Sequence, residues 1–128
     1  MLKDQDGAVA IELAFLMPIL IFILMAVVEF GLIFFTYEAE QRVTWDVSRQ
    51  VAANRISPSD APAKVRDGLP GWVGDRSVTV IGPTLANGQY TMTVSLPASA
   101  ASPTSILARF YGGLVLSTTV VMQKEPSP

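Results

Sequence analysis

The sequence contains neither cysteine nor histidine. Thiol nucleophiles, imidazole bases, disulfides and Cys/His zinc sites are all excluded together. Any exported part of the chain must hold together by packing or by partners. Positive charge is sparse as well. Nine Lys and Arg are scattered through 128 residues, the formal net charge is −2, and no basic stripe is interleaved with aromatics. Nucleic-acid binding therefore has no support. There is no glycine-rich phosphate loop and no internal repeat. Ser57 and Lys64 are close in sequence, but Pro58 and Pro62 between them mark a loop rather than a catalytic pair. With no candidate catalytic residue, no metal-ligating set and no cofactor motif, the sequence reads as a structural protein rather than an enzyme.

What the chain has is one long apolar run. Half of all residues are hydrophobic, and from Ala8 to Phe35 the only charges are Glu12 and Glu29. The uncharged stretch Leu13 to Val28, "LAFLMPILIFILMAVV", makes about 24 Å of helix. Ala8 to Phe35 makes about 42 Å, against a hydrocarbon thickness of about 30 Å. The two glutamates thus fall near the two boundaries of a bilayer. A buried core helix is the alternative, but the remaining ~90 residues are too few to wrap a helix that is apolar on every face. A secretory signal would place small residues after the run. Here Gly7, Ala8 and Ala10 precede it, so any cut is expected on the N-terminal side, leaving the helix on the mature protein. Pro18 lies in the first half. It is either a tolerated membrane proline or a hinge, and position alone does not choose.

Beyond the run, Thr36 to Arg55 has no glycine or proline. Val43, Val47 and Val51 recur at i+4, with Tyr37, Ala39 and Ala52 beside them, and predict an amphipathic extension of the same helix. Ser57 to Ala63, "SPSDAPA", is expected to end it. A short helical turn is expected within "AKVRDGLPGW". Three strands follow. Ser77–Ile81 has alternating valines. Tyr90–Leu96 sets Tyr90, Met92, Val94 and Leu96 on one face against Thr91, Thr93 and Ser95. Leu114–Met122 is the third. Asn87-Gly88 predicts a hairpin, with "GPTLANGQ" as a longer loop. The expected fold is α+β: a long N-terminal helix whose valine face covers a small three-stranded antiparallel sheet.

Glu12 stands five places after Gly7, inside an otherwise apolar helix. A carboxylate in the first turns is favoured by the helix dipole, and an ionisable residue at a membrane boundary is also a functional candidate. The combination of glycine, small residue, fifth-place glutamate and unbroken apolar helix resembles the class III signal of type IV pilin-like proteins. The stretch "GAVAIELAFLMPILIFILMAVVEFG" is more specifically similar to the TadE-like pseudopilins of the tight-adherence (Tad, or Flp) pilus system. Gly7, Glu12, Pro18, Glu29, Phe30 and Gly31 stand on the matching positions. Leu13 departs from the aromatic residue usual there, and the leader "MLKDQDG" is less basic than the usual one.

The resemblance implies a leader at residues 1–7, a transmembrane helix at 8–35, an amphipathic extension at 36–56 and a headpiece at 57–128. It implies cleavage between Gly7 and Ala8 by a prepilin peptidase, and assembly with other pilin and pseudopilin subunits of the Tad system. The chain would cross the bacterial inner membrane once, in contact with its lipid, with the headpiece outside the cytoplasm or carried into the pilus. Arg42, Arg49 and Arg55 weakly favour the opposite orientation by the positive-inside rule. A free amine on Ala8 would then find its counter-ion in Glu12. Glu29, Phe30 and Gly31 read as a second packing mark, since Gly31 permits close helix approach. The second reading open at this point is an unprocessed single-pass scaffold of a secretion complex.

Overall fold

The computed structural model describes residues 2–127. Met1, the first residue of the expected leader, lies outside them. Helix α1 runs from Leu2 to Ala52 without interruption, 51 residues and about 76 Å. Pro18 sits inside it and does not end it: proline forfeits one backbone bond, and the flanking turns retain theirs. The helix closes earlier than the Ser57–Ala63 breakers, at an αL cap. Asn54 has φ 56°, the Arg55 N–H donates to the Gln50 carbonyl and the Asn54 N–H to the Val51 carbonyl. That is a Schellman closure with asparagine in the left-handed position.

Helix α2 (Ala61–Gly68) has Pro62 in its first turn, where a missing N–H costs nothing. Strands β1 (Thr79–Ala86), β2 (Gln89–Pro97) and β3 (Val115–Gln123) form an antiparallel sheet in the order β1-β2-β3. A four-residue helix, α3 (Ala108–Tyr111), lies in the crossover between β2 and β3. The α+β architecture is as expected from the sequence.

The β1–β2 connection is not the long loop expected. Ala86 pairs with Gln89, so Asn87-Gly88 is a two-residue turn. Its φ values, 51° and 75°, suit asparagine and glycine and match the strand twist. Strand β1 continues through "GPTLA", which reads as a breaker, because its register shifts between Ile81 and Thr84. Gly82 makes this bulge possible. It has φ 89°, and a Cβ there would lie 2.5 Å from the Thr91 carbonyl oxygen.

The core lies between α1 and the sheet. Tyr90, Met92, Val94 and Leu96 are all buried on the inner face of β2, as their alternation predicts. They meet Val47 and Val51 of α1, with Ala61 and Val65 of α2 and Leu69 just after it closing one side. The sheet runs along the helix. Its hairpin end lies level with the C-terminus of α1, where the Lys124 N–H donates to Gly88 and the Glu125 N–H to Ala52. Its other end, with the β2–β3 crossover, points back toward the apolar half of α1.

Candidate functional site

The first half of α1 is bare. Residues 5–25 are all exposed, including Val9, Ile11, Phe15, Leu20 and Leu24. This helix is long and apolar enough to cross a membrane, and its most apolar 18-residue window, of mean hydropathy 2.8, has none of its residues buried by the rest of the chain. Gly7, Ala8, Glu12 and Pro18 all belong to this bare half. A Cβ added at Gly7 would meet nothing within 4 Å. Glu12 and Glu29 are not brought together: seventeen residues of helix separate them by about 26 Å.

From Glu29 onward one stripe of the helix is covered: Glu29, Ile33, Thr36, Glu40, Thr44, Val47, Ser48 and Val51 are buried. The stripe differs from the valine face read from the sequence. Val47, Val51 and Ala52 are in it, Val43 is half-buried at its edge, and five of its members are polar. Three of the polar members, Glu29, Thr36 and Thr44, are hydrogen-bonded. Thr44 donates to the Glu40 carbonyl at 2.6 Å, within the helix. Thr36 Oγ1 lies 2.6 Å from the Ala101 carbonyl oxygen, to which Trp72 Nε1 also donates at 3.0 Å. This joint ties α1, the segment after α2 and the β2–β3 crossover at one point. Trp72 is thus a packing residue with its polar edge satisfied.

Glu29 is 1% exposed. Its carboxylate accepts from the Leu107 backbone N–H, at 3.1 Å to Oε1 and 3.2 Å to Oε2, and from the Tyr111 hydroxyl. Phe30 stacks edge-on against the Tyr111 ring, with centroids 5.7 Å apart. Gly31 lies on the open side, with nothing within 4 Å of its would-be Cβ. The three residues therefore do three different things. Glu29 anchors the chain's own crossover, Phe30 braces it, and Gly31 leaves a notch on the free surface.

Glu40 is solved least. It is fully buried, both carboxylate oxygens lack a hydrogen-bond partner, and so do Ser48 Oγ and Thr118 Oγ1. Burial pushes its pKa up to about 7; the Thr118 backbone, which faces the carboxylate without reaching hydrogen-bond geometry, pulls the other way. Sequence reading missed Glu40, Thr36, Thr44 and Ser48. Their only signal is the three-and-four spacing that continues back from Val51.

Residues 7–52 match the family model of TadE-like proteins. Over this helix the chain is similar to TadE-like proteins. The match opens at the glycine that precedes the apolar run and closes where α1 closes. No curated protein and no solved structure matches the chain. Among the described residues, no three acidic side chains gather as a metal site.

Proposed function

We propose that this TadE-like chain is a membrane-anchored pseudopilin. In this reading it takes part in the biogenesis or priming of a Tad/Flp adhesive pilus. It assembles through α1 after a prepilin peptidase has cut between Gly7 and Ala8. The single observation that carries the reading is the bare half of α1. It exposes large apolar side chains on every face, and such a surface is stable only against lipid or against equivalent helices.

The chemistry at its head fits. Trimming would leave an ammonium on Ala8 and a carboxylate on Glu12, one helical turn apart and on the same face. Inside lipid either charge alone would cost several kcal/mol, so each needs the other, within one subunit or between neighbours. Such a pair fixes the axial position of a helix among its neighbours better than it adds stability. The headpiece points away from the cytoplasm, the proteins around it are other pilins and pseudopilins, and the inner-membrane lipid holds the subunit before assembly.

Two measurements test this. The mass of the protein purified from membranes containing the peptidase is expected to lack Met1 to Gly7. Glu12→Gln is expected to insert normally yet to fall at least several-fold in the assembled fraction. An intact N-terminus in the presence of a competent peptidase would refute processing and leave a tethered scaffold. Unchanged assembly of the Glu12 variant would remove the pairing role.

A further inference from the structure

We infer that the β2–β3 crossover dips into the bilayer as a second membrane contact, with Ile106 and Phe110 facing the lipid. The inference rests on the membrane placement of α1 proposed above and goes beyond it.

Three observations converge. The first is orientation. In the crossover, Leu107 and Tyr111 are one helical turn apart and both face α1, where they bond Glu29. Ile106 and Phe110 have the same spacing and face outward, 56% and 75% exposed. The segment thus has an inner face that satisfies a carboxylate and an outer face that is apolar and unpartnered.

The second is depth. Ile106 lines an apolar groove with Leu24, Met25 and Val28 of α1. Phe110 lines another with Phe22, Ala26 and Phe30. The stretch of α1 that lies clear of the crossover, up to Ile21, counts fourteen residues from Ala8, about 21 Å, too short for a hydrocarbon layer of about 30 Å. Carried to Val28 it is twenty-one residues and about 31 Å, which fits. The stretch that completes the crossing is the stretch flanked by Ile106 and Phe110. Placing α1 across a bilayer places them at its edge.

The third is charge. From Ser77 to Gln123 the only charged residue is Arg109. It is exposed, and it sits between the two outward apolar residues. A long cationic side chain can reach lipid phosphate while its neighbours stay in acyl chains. Glu29 then makes sense at that level. Its carboxylate is enclosed by Leu107 and Tyr111, so the crossover seals it from hydrocarbon.

The absence of cysteine allows a direct test. Full-length single-cysteine variants Ile106→Cys, Phe110→Cys, Leu20→Cys and Leu85→Cys are labelled with a nitroxide. They are reconstituted in vesicles of phosphatidylethanolamine and phosphatidylglycerol. Leu20 reports the bare helix, and Leu85 the hairpin end of the sheet. Labels at Ile106 and Phe110 are expected to collide more with oxygen than with a water-soluble nickel chelate, as at Leu20, with the ratio inverted at Leu85. Nickel-dominated collisions at Ile106 and Phe110, with Leu20 still oxygen-dominated, would overturn the lipid contact and leave the anchor standing. Loss of both collision rates there would overturn it in favour of a protein neighbour, such as a second copy. Nickel access at Leu20 would remove the membrane placement itself and this inference with it.

Discussion

Glu29→Ala is expected to free the β2–β3 crossover from α1 while leaving the sheet and the hairpin end in place. The carboxylate is the acceptor for two buried donors, the Leu107 N–H and the Tyr111 hydroxyl. Each donor left unpaired away from water costs about 1–3 kcal/mol. Partial relaxation brings the pair to a total of about 3 kcal/mol, and the void at position 29 acts in the same direction. Local opening should then be about a hundredfold more frequent, since each 1.4 kcal/mol is a factor of ten. Amide hydrogen exchange in detergent reads this directly. The Leu107 amide should lose about a hundredfold in protection, while Val94 and Val120, buried in paired strands, change little. Tyr111→Phe removes one donor and keeps the other, so its effect should be about 1 kcal/mol. Equal protection of Leu107 in the Glu29→Ala protein and the parent would show that the carboxylate does not hold the crossover. The consequence reaches past stability. Ile106 and Phe110 are held beside α1 by the same short segment, so Glu29 sets where the outward apolar face lies.

Local signals carried much of this molecule. An absence of glycine and proline through Arg55, after a run apolar on all faces, is enough for one long helix. Strict alternation from Tyr90 to Leu96 is enough for the central strand and its inner face. The failures came where a tertiary contact overrides a local rule. Gly82-Pro83 reads as a stop. It is instead a bulge, because glycine adopts φ 89° and lets the chain pass close to Thr91 without a Cβ. The helix stripe was misread because valine marks a buried face by default. Counting back from Val51 in steps of three and four lands on Val47, Thr44, Glu40, Thr36, Ile33 and Glu29, a regular seam that composition disguises. That Glu29 belongs to this seam is legible in the spacing. That its partners are Leu107 and Tyr111, 78 and 82 positions away, is not, since nothing local to either end encodes the meeting. The same limit holds for Ile106 and Phe110, whose local sequence gives no sign that they lie beside α1.

The headpiece is expected to be most stable in mild acid and to weaken as the pH rises toward neutrality, and Glu40→Gln should abolish most of that dependence. The carboxyl of Glu40 is buried under β3 with no hydrogen-bond partner, and burial raises its pKa from the ordinary 4.5 to about 7. Below pH 4.5 it is protonated whether the chain is folded or not, and contributes no difference. Between 4.5 and 7 the unfolded chain gives up the proton while the folded one keeps it, so folding stability falls as pH rises. Above 7 both forms are ionised and the loss levels off. A shift of this size, allowing for partial screening by solvent, amounts to about 2–3 kcal/mol. Glutamine has nearly the same shape and no charge to desolvate. The variant should unfold at nearly the same denaturant concentration across that window, and above pH 7 should be more stable than the parent. Glu40→Leu should go further, because it removes the unpaired polar atoms as well as the charge. Parallel pH profiles for the parent and Glu40→Gln would place the titration elsewhere. A carboxyl that costs stability at neutral pH, on the stripe that docks the headpiece to its helix, loosens that docking as the pH rises. Glu29, three helical turns away on the same stripe, accepts two hydrogen bonds and holds the other end.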